Sequence, residues 1–154
     1  MAAYFFDSSA LTKRYVIEKG SAWVISITDP AAGNQNHLVR ITGVEVISAI
    51  TRAGRSGSIS AADTTKAIAQ FYHEFAKGYR ITAVTRRLIR RAMILAEIHA
   101  LRGYDAVQLA AALTVNKQRL ARGLSAVILV SADTALNTAA IAEGLTVDDP
   151  NLHP

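Results

Sequence analysis

The chain has 154 residues, of which 51% are hydrophobic and only three are prolines, and its mean hydropathy is +0.21. This composition predicts one globular domain over residues 1–154 and excludes a disordered or collagen-like chain. The absence of cysteine excludes a disulfide framework, a cysteine-ligated zinc or iron–sulfur site and a thiol nucleophile.

The charge balance is basic, with 17 Lys and Arg against 12 Asp and Glu and a formal net charge of +5. Such a balance favours a polyanionic partner, with nucleic acid ahead of an anionic membrane. The N-terminal residues show no secretory signal, and no window approaches the roughly 20 apolar residues that span a bilayer. We therefore expect a cytoplasmic protein without a membrane partner.

Short apolar runs alternate with longer segments of helical periodicity. The predicted strands are 3–6, 37–41, 79–84, 126–130 and 145–147, with a polar connection at 33–36. The predicted helices are 9–18, 21–29, 44–54, 60–77, 85–101, 104–117 and 134–143. This alternation predicts an α/β fold, a mostly parallel sheet of about five strands flanked by helices on both faces. In such folds, ligands bind beyond the carboxyl ends of the strands.

Four of the twelve acidic residues fall where this fold places its chemistry. Asp7 directly follows the first predicted strand, Asp133 follows the 126–130 strand by three residues, and Glu45 comes shortly after the second strand. Asp105 begins an apolar helix and shares its face with Leu109, so its carboxylate is expected to point toward the sheet edge.

Four carboxylates that meet in one cleft raise one another's pKa unless a cation compensates them. Since no His or Lys occupies a comparable strand end, the simplest cation is Mg²⁺ or Mn²⁺, which takes oxygen ligands. A basic protein with an acidic metal cleft is typical of a metal-dependent nuclease, whose metal activates a water and whose outer charges attract phosphates. Ser9, two residues past Asp7, is expected to bond a metal water or a neighbouring carboxylate.

Each of these acids also has a purely structural interpretation. Asp105 and Asp133 are candidates for the N-caps of the helices that they precede, and Asp7 for a polar residue that ends a strand. Ser8 is the expected cap of the first helix. Glu45 is harder to explain in this way, because apolar residues surround it in the sequence and an acid is seldom buried unpaired.

A basic stripe of Arg86, Arg87, Arg90 and Arg91 recurs at helical spacing. A solvated helix face is the ordinary interpretation, and contacts to RNA phosphates through Arg86, Arg87 and Arg90 are the alternative. None of the four histidines has the spacing of a metal-ligand pair. The remaining acids, Glu74 among them, are expected at surface or capping positions.

Four segments carry a family resemblance: YFFDSSALTKRY at 4–15, VEVISAITR at 44–52, LRGYDAVQLAAAL at 101–113 and VSADTAL at 130–136, with EGLTVDDP at 143–150 after them. Together they extend over essentially the whole chain. In this order they strongly resemble the PIN-domain proteins of the VapC toxin family.

The resemblance implies a Rossmann-like PIN domain and a Mg²⁺- or Mn²⁺-dependent endoribonuclease, the toxin of a type II toxin–antitoxin pair. Asp7, Glu45, Asp105 and Asp133 match the family's acidic positions, and Ser9 matches its accompanying Ser/Thr position. Asp7 and Asp105 are implied as the principal metal ligands, with the other two acids completing the cluster directly or through water. The implied partners are an RNA substrate, a second copy in a homodimer and a VapB-type antitoxin.

Two other functions stay open at this point. One is a PIN-domain nuclease of RNA processing that has no antitoxin, and the other is a non-catalytic RNA-binding protein with the same fold. A response-regulator receiver is disfavoured, because Asp7 is followed by Ser8 and Ser9 where a receiver needs an adjacent acidic pair.

Overall fold

The structure, a computed structural model, describes residues 1–154 and contains a five-stranded sheet in which each strand is parallel to its neighbours. The strands are β1 (Ala3–Phe6), β2 (Gln35–Val39), β3 (Arg80–Thr82), β4 (Ile128–Val130) and β5 (Thr146–Asp148), in the order β3-β2-β1-β4-β5. The predicted parallel sheet of about five strands is confirmed.

The strands are connected by α1 (Ser8–Leu11), α2 (Ser21–Thr28), α3 (Thr42–Arg55), α4 (Ala61–Lys77), α5 (Arg86–His99), α6 (Gly103–Ala121) and α7 (Thr134–Ala142). Short 3₁₀ turns occupy Thr12–Arg14, Pro30–Ala32 and Pro150–Leu152. No helix is both long enough and apolar enough to cross a membrane.

Several predicted boundaries differ from the structure. The strands predicted at 37–41, 79–84 and 126–130 are Gln35–Val39, Arg80–Thr82 and Ile128–Val130, and the helix predicted at 104–117 is Gly103–Ala121. Two of the differences have a clear physical cause. The first predicted helix, 9–18, is helical only to Leu11 and passes through the 3₁₀ turn into a loop, which Lys13 holds by donating to the carbonyl of Lys19 at 2.8 Å. The predicted connection 33–36 contains the first two residues of β2, because Gln35 and Asn36 pair with β1. Because their side chains are polar, the sequence pattern did not indicate that the strand begins at these residues.

The two faces of the sheet are buried by different sets of helices. Since successive side chains of a strand point to opposite faces, Phe5 and Leu129 pack with α5, α6 and α7. Phe6, Leu38 and Val130 pack on the other face with α1 to α4. Burial on both faces explains why the central strands are continuously apolar.

The direction of the strand order reverses at β1. From β1 the chain moves to β2 and then β3 on one side, and afterwards it crosses back through α5 and α6 to β4 on the other side of β1. This reversal opens a crevice between the carboxyl ends of β1 and β4, and such switch points are the usual ligand sites of open parallel sheets.

A polar network ties α4 to the turn after α1. Arg14 donates from Nε and Nη2 to the two carboxylate oxygens of Glu74, at 2.8 Å each, and Tyr15 and Gln70 donate to the same carboxylate. Burial alone raises the pKa of Glu74, but these hydrogen bonds outweigh it and lower the pKa to about 2. The surface or capping role expected for Glu74 was wrong, because its main partner lies sixty residues away in the chain.

Glu74→Gln is expected to destabilise the fold by about 2 kcal/mol at neutral pH, because it removes the partner charge of a half-buried guanidinium. A carboxyl group whose pKa is lowered by folding stabilises the fold above its unfolded pKa, and this contribution is lost as the pH falls from 4.5 to about 2. The difference in melting temperature between the wild type and Glu74→Gln should therefore shrink over that range. A difference that stays constant contradicts this role, and Glu97→Gln, on an exposed part of α5, is the control.

Candidate active site

Asp7 lies at the carboxyl end of β1, at the switch point. Its side chain caps α1 by accepting from the amide of Ala10 at 2.9 Å, and Ser9 Oγ lies 2.7 and 2.8 Å from its two carboxylate oxygens. Ser131, after β4, donates to Asp7 Oδ2 at 2.9 Å. Asp7 is only 2% exposed and forms no ion pair. Burial and, to a smaller extent, the charge of Asp105 raise the pKa of Asp7, while the hydrogen bonds lower it. The net result is a pKa of about 7.

Glu45 lies in the first turn of α3 and is held from two sides. Ser8 Oγ donates to Glu45 Oε2 at 3.0 Å, and Gln108 Nε2 donates to Oε1 at 2.9 Å. Gln108 is 1% exposed, and its Nε2 also donates to Thr42 Oγ1 at 2.8 Å. Although the neighbours of Glu45 in the sequence are apolar, its carboxylate lies in a polar pocket whose donors come from α1 and α6.

Asp105 and Asp133 approach the crevice from α6 and α7. Asp105 is partly buried in the first turn of α6. Burial raises the pKa of Asp105, the charges of Asp133 and Glu45 raise it further, and Arg102 opposes them. Such an effect on Asp105 is expected where carboxylates of separate elements face the same space.

One cleft of about 450 Å³ is lined by all four predicted acids, Asp7, Glu45, Asp105 and Asp133, and by Ser9. The structure therefore brings these five side chains together. Arg86, Arg87 and Arg90 are exposed on α5 and do not line this cleft.

Of the predicted helix caps, the structure confirms one and contradicts two. Asp133 caps α7 by accepting from the amide of Leu136 at 2.8 Å, as expected. Asp105 is not a cap, because Arg102 occupies the N-cap position of α6. The prediction that Ser8 caps α1 was wrong, since Asp7 takes that role.

Three residues of the site were missed by the sequence analysis. Ser131 and Gln108 bond the predicted acids, and Arg102 brings a positive charge to the cleft. Gln108 follows Asp105 by three residues on the same helix, and this spacing was a usable signal, because residues three apart share a helix face.

The donors of the cleft suit a hard divalent cation. No group of three Asp, Glu or His side chains lies close enough together to hold a metal ion by itself. Mg²⁺, however, keeps several waters and takes only one or two carboxylates directly, so it needs no tight group. A buried carboxylate without a cation partner, beside three others, is the charge arrangement that such an ion relieves. The residues present therefore fit Mg²⁺ or Mn²⁺.

Two relatives match this chain throughout. Ribonuclease VapC45 of Mycobacterium tuberculosis strain CDC 1551 and ribonuclease VapC49 of strain H37Rv are each 30% identical to it over 154 residues, which is the full length of both. The chain belongs to the VapC ribonuclease family. No protein-family model matches it.

Solved structures share the fold of this VapC-family chain. FitAB bound to an IR36 DNA fragment aligns with a TM-score of 0.64 at 14% identity, over 96% of this chain and 94% of that chain. PAE2754 from Pyrobaculum aerophilum aligns with a TM-score of 0.64 at 16% identity, over 99% of this chain and 86% of that chain. A toxin–antitoxin complex from Klebsiella pneumoniae aligns with a TM-score of 0.59 at 19% identity, over 96% of this chain and 97% of that chain. At these identities the likeness shows the fold, which is the predicted Rossmann-like PIN fold.

Asp7→Asn is expected to be more stable than the wild type in metal-free buffer at neutral pH, by about 1 kcal/mol or more. The amide carries no charge into the buried site, and the hydroxyls of Ser9 and Ser131 can accept from it. Mg²⁺ should raise the melting temperature of the wild type and leave that of Asp7→Asn unchanged.

Thermal unfolding with EDTA and with Mg²⁺ measures both effects. An Asp7→Asn variant that is less stable in EDTA, or that gains as much from Mg²⁺ as the wild type, contradicts them.

Proposed function

We propose that this chain is a Mg²⁺- or Mn²⁺-dependent endoribonuclease that hydrolyses RNA phosphodiester bonds and acts as the toxin of a type II toxin–antitoxin system. The observation that carries the proposal is the convergence of Asp7, Glu45, Asp105 and Asp133 on one cleft. The proposal is also supported by two proteins named ribonucleases, each of which is 30% identical to this chain throughout its length. The whole chain then acts as a single PIN domain.

The acids divide into two groups in this proposal. Asp7 and Asp105 are the principal metal ligands, and Glu45 and Asp133 complete the site directly or through water. A divalent ion held by these acids would supply the chemistry of activating the attacking water and neutralising the charge on the leaving oxygen. An uncompensated carboxylate at the bottom of the cleft favours a cation, since burial makes its negative charge costly.

The side chains around the acids fix their orientation. Ser9 and Ser131 both donate to the Asp7 carboxylate, and Ser8 and Gln108 donate to that of Glu45. Such partners of ligating carboxylates typically matter 10- to 100-fold for metal affinity or activity. Catalysis at this site therefore depends also on the side chains that position the acids.

The positive charges outside the cleft serve substrate binding. Arg102 lies at the cleft and can neutralise part of the charge of an incoming phosphate. Arg86, Arg87 and Arg90 are exposed on α5 and are proposed as contacts to the RNA backbone.

A VapB-type antitoxin and a second copy in a homodimer are the proposed protein partners. Beside the acidic cleft lies a groove of about 650 Å³ that shares Ser8, Ser9, Glu45 and Tyr104 with it. An antitoxin segment that folds on binding in this groove covers the access to the acids. The toxin–antitoxin complex among the structural neighbours supports this partner.

The test of the proposed function is cleavage of RNA by the purified chain with Mg²⁺ or Mn²⁺ and with EDTA. Asp105→Asn and Glu45→Gln are each expected to lower the cleavage rate by about a hundredfold or more, because each removes a charge that faces the metal. Asp63→Asn, an exposed acid in the first turn of α4, is the matched control and should keep full activity.

RNA binding that persists in EDTA without any metal-dependent cleavage would contradict the nuclease and favour the non-catalytic RNA-binding protein. Cleavage by a chain that co-purifies with no small partner from its native cells would favour the nuclease of RNA processing.

Gln108→Met is expected to lower kcat for RNA cleavage by about 10- to 100-fold and to raise the Mg²⁺ concentration that gives half-maximal activity, with little change in KM for RNA. The substitution keeps the volume of the side chain but leaves Glu45 Oε1 without its donor. Thr42→Val removes the other hydrogen bond of Gln108 and leaves Glu45 untouched, so it should keep its Mg²⁺ dependence. Equal losses in both variants would assign Gln108 to packing alone.

A further inference from the structure

The charges of this chain are segregated along the sequence. No Asp or Glu occurs between Glu74 and Glu97, or between Asp105 and Asp133. These two acid-free segments contain nine of the seventeen cations: Lys77, Arg80, Arg86, Arg87, Arg90, Arg91, Lys117, Arg119 and Arg122. The first segment includes β3 and most of α5, and the second includes most of α6. Because α5 and α6 pack against each other, the two segments form one basic region of the surface.

A groove of about 480 Å³ lies within this region, between the N-terminal half of α5 and the C-terminal half of α6. Its cations are Arg87 and Arg91, one turn apart on α5, and Lys117 on α6, and all three are exposed. Arg91 Nη1 donates to Thr114 Oγ1 across the groove at 3.3 Å. Thr114, Lys117 and Gln118 share one face of α6, so both walls of the groove present polar or positive groups.

The cations of this groove are available to a ligand. Arg87 and Lys117 take part in no ion pair, and the one bond of Arg91 is to a neutral hydroxyl. Arg119, by contrast, is buried and bonded to Ser125 and Gln35, so it serves the fold. Three unpaired cations in a concave surface without a nearby acid attract an anion with several charges.

The groove continues into a second basic cavity and lies apart from the acids. A neighbouring cavity of about 260 Å³ shares Thr82 and Gln118 with the groove and adds Arg80 and Arg122. Lys117 follows Asp105 by twelve positions on α6, so the two residues lie about 18 Å apart along the helix axis. A ligand that touches both the cleft and the groove is therefore a chain with regularly repeated charges, rather than a mononucleotide or a free phosphate.

We propose that the α5–α6 groove, with Arg87, Arg91 and Lys117, binds the phosphodiester backbone of the RNA substrate at a distance from the acidic cleft. This inference rests on the proposed function for the identity of the ligand, and it names the part of the substrate that the groove holds. Arg86 and Arg90 project from another side of α5 and do not line the groove, whereas Arg91 and Lys117 do. The groove contributes affinity for long RNA and no chemistry.

The test is equilibrium binding of a long single-stranded RNA to the full chain that carries Asp7→Asn to prevent cleavage. The groove variant combines Arg87→Gln, Arg91→Gln and Lys117→Gln. The matched control removes three exposed cations elsewhere, through Lys19→Gln, Arg55→Gln and Lys66→Gln. Both variants lose the same net charge, so a difference between them reports position.

The groove variant is expected to bind the long RNA at least about tenfold more weakly at low salt. The slope of log K against log salt should become less negative by about 2, since each phosphate contact on a single strand contributes about −0.7. The control should keep most of the slope and affinity. A groove variant whose slope and affinity equal those of the control overturns the proposal.

A second arm separates this inference from the proposed function. With Asp7 intact, the groove variant should show a raised KM and an unchanged kcat on long RNA, and unchanged cleavage of a trinucleotide that reaches only the cleft. A wild type that cleaves no RNA refutes the nuclease, and the groove is then judged by its binding slope alone. A groove variant that loses kcat on both substrates refutes a role confined to backbone binding.

Discussion

The burial of one carboxylate at the switch point of the sheet couples the fold of this chain to its candidate site. Asp7 ends β1 where the strand order reverses, and it is only 2% exposed. A charge in such a place is costly unless hydrogen bonds and a cation offset it. Ser9 and the amide of Ala10, both on α1, and Ser131 after β4 supply the hydrogen bonds, so two distant segments of the chain meet at this carboxylate. Docking of α1 and β4 against the crevice is thus coupled to the site.

Repulsion among the acids sets the electrostatics of the cleft. The charge of Asp105 raises the pKa of Asp7, and the charges of Asp133 and Glu45 raise the pKa of Asp105. Arg102 compensates only part of this charge. The molecule therefore concentrates negative charge inside and leaves an excess of positive charge outside, with the acid-free basic region on α5 and α6. The proposed metal and RNA substrate would offset both charge excesses, the metal that of the cleft and the phosphates that of the basic surface.

The fold and the four acids were predictable because their signals are local. A continuously apolar strand followed by an acid places that acid at a sheet edge, and this rule located Asp7 and Asp133. The partners of these acids were not predictable in the same way, since Ser131 contacts Asp7 over 124 residues and Gln108 contacts Glu45 over 63. The spacing of three residues from Asp105 indicates that Gln108 lies on the same face of α6. Its contact with Glu45, like that of Ser131 with Asp7, depends on how the helices dock, which the periodicity of the sequence does not show.

The remaining misses have the same origin. Glu74 was expected at the surface because its helix position alone does not reveal Arg14, and Gln35 and Asn36 were read as a loop because polar residues rarely begin a buried strand. The basic stripe on α5 was visible in the sequence. Its division into groove-lining Arg87 and Arg91 and outward Arg86 and Arg90 required the packing of α6.

Location of Mn²⁺ by anomalous diffraction from crystals of the wild-type chain tests whether the four carboxylates form a divalent metal site. We expect an anomalous peak in the acidic cleft, between Asp7 and Asp105, that is absent from crystals of Asp7→Asn. An empty cleft at a saturating Mn²⁺ concentration, or an ion bound only elsewhere on the molecule, would contradict it.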